Sequence, residues 1–590
     1  MLISTVILFA VTMVSLANNN DRFEIKSIEF QGNEALSDDQ LKSVMISVPA
    51  QIFRSSYYYP EVLKDDLVNL ELFYHENGYL DAKVVTQTVT LDSTLHEARI
   101  NVKIDEGQVT LVEAIDFFGN AVFSDDELRK MVNIIPGEPL KQMKIKQANL
   151  NVLTQYANLG YLESVIVPKT YIKPEINRVI IDFYITEHHK FKISDIRAVG
   201  LQVTHRIIIF RELTFKQGEI INYSKLLESQ RKLYLLGLFK RVNINTVDSD
   251  DGDSTYKDIE IHVEEKKSGG FEISAGYESV EKLRGRVEFY NTNLWGTARK
   301  FSMSAKASFV NDMVEFSYTD PYTFRTDWRT DFRVGIEYAE EPGFDFDRTG
   351  AKVTLGRSFE EQTSAKLTYR KDKVTLKNVR VSEIPDDKKT DINSLKFSLT
   401  RDTRNNLFNA TKGYFIEMSH ELAGGFLSGT NSFYRIEGKI KQFYSFSQNI
   451  VVGSSFKIGY IIPINGYTKI PLNERLYAGG LNSVRGFDYK KLGSLDENRI
   501  PIGGRFSIVW NVLETRIPLY KMIGCAFFLD TGNVWESSRE FRFNEMRAST
   551  GFGLRANTPI GLVRLDLGLN IDPRLGESSY KLHFGMGQAF

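Results

Sequence analysis

Arg485 is the side chain with the most chemistry on offer. It lies in Arg475-Leu-Tyr-Ala-Gly-Gly-Leu-Asn-Ser-Val-Arg-Gly-Phe487, a glycine-rich stretch with an arginine near each end. A guanidinium presents five donors in a rigid planar fork that fits a carboxylate. The pair Gly479-Gly480 permits backbone conformations and close approaches that side chains forbid. Such a segment suits being held in place, although the same residue types also make flexible surface loops with a solvated arginine. Patterns for catalysis are missing from the sequence: there is no Gly-x-Ser-x-Gly, no HExxH and no P-loop. His188-His189 is an isolated pair at a junction, and a single cysteine, Cys525, excludes an internal disulfide framework and a Cys-based zinc site. The expectation is a non-enzyme with no catalytic residue, no metal site and no cofactor.

The elements around this stretch decide its meaning. At 590 residues the chain has room for several domains. Lys+Arg 74 against Asp+Glu 75 leaves a net charge of -1, so nothing in the overall balance suggests nucleic acid. Phe and Tyr number 40 and 27, with only 15 Pro, a balance that fits β-structure and the aromatic girdles of a membrane barrel. Residues 1–17 run apolar from Leu2 to Val14 and end in Ser15-Leu16-Ala17, the pattern of an export signal cut after Ala17. Its start carries no Lys or Arg, and the run is shorter than the roughly 20 residues needed to span a membrane as a helix.

From Arg22 to about Glu265 one order of elements recurs three times: strand, helix, helix, strand, strand. Each unit opens on an apolar strand ending at a glycine, at Gly32, Gly119 and Gly200. Ser37 and Ser124 are good N-caps for the short helix that follows, and Thr204 takes that place in the third unit. The longer helices close at Gly78, Gly160 and Gly237, each followed by an apolar residue, as a left-handed C-cap requires. The boundaries expected are 22–106, 107–188 and 189–266.

From 267 to 590 the period changes to two. Phe271, Ile273, Ala275 and Tyr277 alternate with Glu272, Ser274, Gly276 and Glu278, and the same contrast returns in run after run. One apolar and one wet face describe a transmembrane barrel better than a soluble sandwich. Sixteen such runs occur, from 271–278 to 579–590, an even number that lets both ends lie on one side. Long connections at 376–391, 462–503 and 532–546 all follow odd-numbered strands, with one long exception at 401–411. Gly585 and Gly587 thin out the last strand, and the first opens beside Gly269-Gly270. The junction of first and last strands, with Phe271, Ile273, Gly585, Gly587 and Phe590, is therefore the candidate for a weak lateral seam.

The β-α-α-β-β units resemble POTRA domains. Gly479-Gly480 with Val484-Arg485-Gly486-Phe487 resembles the signature of the outer-membrane assembly barrel superfamily that includes the BamA and TamA proteins. Asn293 to Thr297, Asp320-Pro321-Tyr322, Arg401 to Arg404 leading to Gly413-Tyr414, and Asp530-Thr531-Gly532 match in the same order. The resemblance implies three α+β POTRA repeats in the periplasm and a 16-stranded antiparallel β-barrel in the bacterial outer membrane. It implies clients that are unfolded outer-membrane proteins, a periplasmic or inner-membrane partner for the repeats, contact with outer-membrane lipid and no nucleic acid. It also implies that the loop folds into the lumen and that Arg485 meets carboxylates at Asp530 and Glu514. Asp530 shares the inward parity with Ala526 and Phe528, whereas strict alternation puts Glu514 with Trp510 and Val512, so that a bulge or a different strand boundary is needed for it to face the same way. Three repeats lean toward TamA. The competing functions are a two-partner-type polypeptide secretion transporter and a passive pore or receptor.

Overall fold

The computed structural model describes residues 22–590 apart from 51–55, 250–254, 361, 383–387, 448–449, 521 and 560. The export signal expected at 1–17 lies outside the described residues. The chain separates into two compact units: one holds the first two repeats and most of the third, the other the barrel with 200–211 and 236–241.

Each repeat builds a three-stranded sheet. Strand β1 (Glu24–Gln31) pairs in parallel with β3 (Glu97–Asp105), which pairs antiparallel with β2 (Lys83–Asp92). The same order recurs in β4 (Leu111–Phe118), β6 (Arg178–Thr186) and β5 (Val165–Lys173), and again in β7 (Lys192–Val199), β9 (Tyr256–Glu265) and β8 (Phe239–Asp248). The apolar face of the second sheet packs Val179, Ile181 and Phe183 against Ala148, Val152 and Tyr156 of the helix Gln142–Asn158.

Ser37 and Ser124 each close a capping box, with Gln40 and Glu127. The third cap differs from expectation. His205 stands at the N-cap of the five-residue helix Arg206–Phe210 with no side-chain cap. The Thr204 hydroxyl is engaged elsewhere, accepting from Asn293 Nδ2 at 2.8 Å. Gly78 and Gly160 take left-handed φ of 96° and 94°, and their carbonyls accept from Thr110 N and Phe191 N of the next repeat. In the first two repeats the glycine after the long helix thus also anchors the following unit.

One residue type recurs in all three repeats. Glu106, Glu187 and Glu265 follow or end the central strand and accept from main-chain N–H groups of the turn after the first strand: Ala35, then Ala121 and Val122, then Gln202 to Thr204. In the first two repeats a buried tyrosine of the long helix, Tyr74 or Tyr156, donates to the same carboxylate.

The barrel strands are β10 (Gly269–Glu278), β11 (Lys282–Leu294), β12 (Arg299–Ser308), β13 (Asn311–Thr323), β14 (Trp328–Glu340) and β15 (Asp345–Phe359). They continue with β16 (Thr363–Lys377), β17 (Lys389–Asp402), β18 (Gly413–Ala423), β19 (Phe433–Ser447) and β20 (Ile450–Pro463). The set closes with β21 (Phe506–Tyr520), β22 (Ile523–Trp535), β23 (Arg547–Thr558), β24 (Gly561–Asn570) and β25 (Tyr580–Met586). Every neighbour in sequence is an antiparallel neighbour in the sheet, so sixteen strands form one meander. Alternation sends Phe271, Ile273, Phe289 and Met303 to the outside, where they are exposed for lipid.

The last strand stops earlier than its alternation suggests. Gly587 takes φ 81°, and the chain leaves the sheet. Between β10 and β25 there is no ladder. Instead Ser279, just past β10, exchanges hydrogen bonds with the main chain of Phe584, whose ring lies 5.7 Å from that of Tyr277.

Candidate functional site at the lumen loop and the seam

The segment 464–505 joins β20 to β21. Gly479 and Gly480 both hold φ 101°, and a Cβ at Gly479 would lie 2.5 Å from Asp488 O, so glycine is required there by conformation and space alike. Ala478, Val484, Phe487 and Leu492 bury a small apolar core against Val509 of β21 and Val534 of β22. That core turns Arg485 toward the barrel wall.

Arg485 is fully buried, and its fork is filled. Nε and Nη2 donate to Asp530 at 2.7 and 2.8 Å, and Nη1 donates to Glu514 at 2.6 Å. The guanidinium carbon lies 3.4 Å from the centre of the Phe528 ring. Asn511 donates to both Asp530 Oδ1 and Ser483 O, tying loop and carboxylate together. A register shift between Asn511 and Leu513 supplies the bulge that Glu514 needs, turning it into the lumen opposite Phe528.

Glu514 also accepts from Arg516 Nε at 2.9 Å, and Arg555 pairs with Asp566 at 2.5 Å. Asp566 Oδ2 approaches Arg485 Nη1 at 3.5 Å. Charges withdrawn from water need such mutual satisfaction, since a buried ion without partners costs several kcal/mol. The arrangement therefore binds and orients the loop.

A scan against family models matches residues 293–590 to the Omp85 superfamily domain, and residues 23–107, 110–188 and 191–266 to POTRA, described as a surface antigen variable number repeat. The chain belongs to the Omp85 superfamily. Outer membrane protein assembly factor BamA of Nitratidesulfovibrio vulgaris is 24% identical over 98% of this chain and 75% of its own length. BamA of Neorickettsia risticii is 24% identical over 96% of this chain and 78% of its own. The crystal structure of BamA from Haemophilus ducreyi lacking POTRA domains 1–3 superposes with a TM-score of 0.69 at 18% identity, covering 81% of this chain and 99% of that one. The lean toward TamA rests on repeat count alone, whereas these relatives bear the name BamA.

In this Omp85 barrel the same loop has a second anchor that no motif announces. Glu474, in the turn Leu472–Glu474, receives Arg370 of β16 at 3.1 Å and Arg435 of β19 at 2.7 Å, with Glu421 of β18 completing the group. The loop is thus fixed to β16–β19 at one end and to β21–β24 at the other. Alternation could have shown Arg370, Glu421 and Arg435 as inward charges, but nothing in sequence joins them to a loop glutamate.

The residues expected at the seam divide. Phe271 and Ile273 lie on the outer face of β10, and Gly585 faces inward from β25. Phe590 is not at the seam. Beyond the turn at Gly587 it enters the lumen, where its ring stacks 6.1 Å from Phe443 of β19 and its main-chain oxygen accepts from Arg516. Gln588 bridges Arg555 and Asn409. The long connection 401–411 therefore has a use: it closes on itself through Asn405 and meets these last residues, with Ala410 O accepting from Arg516.

Proposed function

We propose that this protein assembles outer-membrane proteins. It resides in the bacterial outer membrane, with its repeats in the periplasm, and delivers unfolded clients to the bilayer through the junction of β10 and β25. The single observation that carries the reading is that junction. Sixteen strands complete a circuit, yet the first and last share no ladder and meet only around Ser279 and Phe584. Main-chain groups on the two edges are free of ladder partners, the condition under which another strand can add by β-augmentation.

The repeats supply further edges. In each sheet the central strand is the third in sequence, leaving β2, β5 and β8 at a border. An extended client can pair there through main-chain bonds with little side-chain selectivity. A periplasmic or inner-membrane partner would use the same edges, and outer-membrane lipid contacts the apolar outer face of the barrel. No catalytic residue, metal or cofactor enters this scheme; the folding of the client drives it. A secretion transporter or an open pore would need a clear lumen, and here the loop 464–505 and Phe590 lie inside it.

Depletion of the protein, followed by an inventory of the outer membrane, tests the proposal. Barrel proteins should fall broadly while periplasmic proteins persist. Loss of one secreted polypeptide with an otherwise normal membrane would instead support the secretion reading.

A further inference from the structure

We infer that His583 is a positioning residue through which the luminal loop holds the last strand, so that the loop fixes one edge of the seam. Strand β25 has a ladder on one side only, to β24. A strand so placed lacks half the main-chain partners of an inner strand, and something else must restrain it.

Its three inward positions are Lys581, His583 and Gly585, opposite Gly568, Asp566 and Arg564 of β24. Each one meets the loop. Lys581 Nζ pairs with Asp488 at 2.8 Å. A Cβ at Gly585 would lie 2.7 Å from Leu481 Cδ2, so the glycine lets that leucine close over the strand. Between them the buried His583 donates from Nε2 to the carbonyl of Arg485 at 2.8 Å. The acceptor cannot drift, because the Arg485 side chain is locked to Asp530 and Glu514. Opposite Lys581, a Cβ at Gly568 would come within 2.3 Å of the same carbonyl, so the wall is shaped to receive it. A rigid loop thus takes the place of the missing neighbour, and His583 is its buried hydrogen-bonded link to the strand.

The test uses the full chain in lipid nanodiscs, with Cys525→Ser as background. Nitroxides are placed through Ile273→Cys and Leu582→Cys, both on the lipid face at either side of the seam, and their separation is read by pulsed electron resonance. His583→Leu should broaden the separation and shift it outward. His583→Gln, whose amide reaches the same carbonyl, should restore the native distribution. Both variants should keep the heat-dependent gel mobility of a folded barrel, a property that a merely structural role would not spare. If the leucine variant does not fold, His583→Asn, too short to reach Arg485, takes its place under the same criteria. A folded variant without the bond that keeps the native separation overturns the inference, as does a glutamine variant that behaves like leucine.

The effect on clients rests on the assembly reading. With liposomes and a denatured barrel client, loss of the bond should change the insertion rate by about fivefold, the factor expected for one hydrogen bond. If the native protein inserts nothing, the assembly reading fails, while the distance measurement still decides the role of His583.

Discussion

At the scale of single residues, Arg485 is held by more partners than its motif suggests. Asp530 takes two of its donors, Glu514 a third, and Phe528 covers the face of the guanidinium. Arg485→Ala should destabilise the barrel by about 3–5 kcal/mol, because it leaves the buried Asp530 carboxylate without its cation while Glu514 keeps Arg516. Arg485→Lys should recover little, since one ammonium cannot span both acids. The midpoint of heat-dependent gel mobility measures both. Both partners are named by the family resemblance; strand parity then turns Asp530 inward, while Glu514 follows only through the bulge between Asn511 and Leu513. Glu474 is not legible in the sequence, because its partners lie on strands nearly forty or more residues away in sequence and a loop carries no period to align it with them.

At the scale of elements, the repeats show which signals travel from sequence to structure. Local chemistry does: Ser37 and Ser124 cap as their neighbours require. Tertiary engagement overrides it in the third repeat, where Thr204 serves Asn293 instead. The recurring glutamates are not legible in the sequence, because an acidic residue after a strand looks like ordinary surface. Burial pushes the Glu187 carboxyl up, but donors at Val122, Tyr156 and Ala121 outweigh it and hold it below its ordinary value of 4.5. Glu265 is likewise lowered, with burial opposed by donors at Thr204, Val203 and Gln202. A depressed carboxyl stabilises the fold fully above its unfolded value, and that contribution disappears as pH falls through the folded one. The repeats should therefore lose stability on acidification below about pH 4.5. Glu187→Gln and Glu265→Gln should flatten that dependence, as followed by urea unfolding of the helical signal.

At the scale of the whole molecule, three repeats and sixteen strands were legible because each is a period, and periods survive without knowledge of contacts. The lumen was not, since its filling depends on which loop enters and where the last residues turn. Gly587 shows the limit: the strand expected over 579–590 runs on to Phe590, yet a left-handed glycine takes the chain out of the sheet after Met586. With the loop inside, the protein in a planar bilayer should conduct poorly, and removal of 464–505 should open a large steady channel. An equally high conductance before and after removal would show that the loop does not fill the lumen. The early end of β25 also bears on the surrounding lipid. Its seven residues, at about 3.4 Å each and tilted by about 40°, rise only about 18 Å, against an apolar band of about 25 Å on such barrels. Acyl chains beside this strand meet a wall too short for them, so the bilayer must become thinner or less ordered on that flank alone. Client insertion should then run faster in short-chain than in long-chain liposomes, and a rate independent of chain length would show that the mismatch is absorbed elsewhere. On this view the short strand prepares the solvent as well as the doorway, lowering the hydrocarbon barrier at the place where a new strand must cross it.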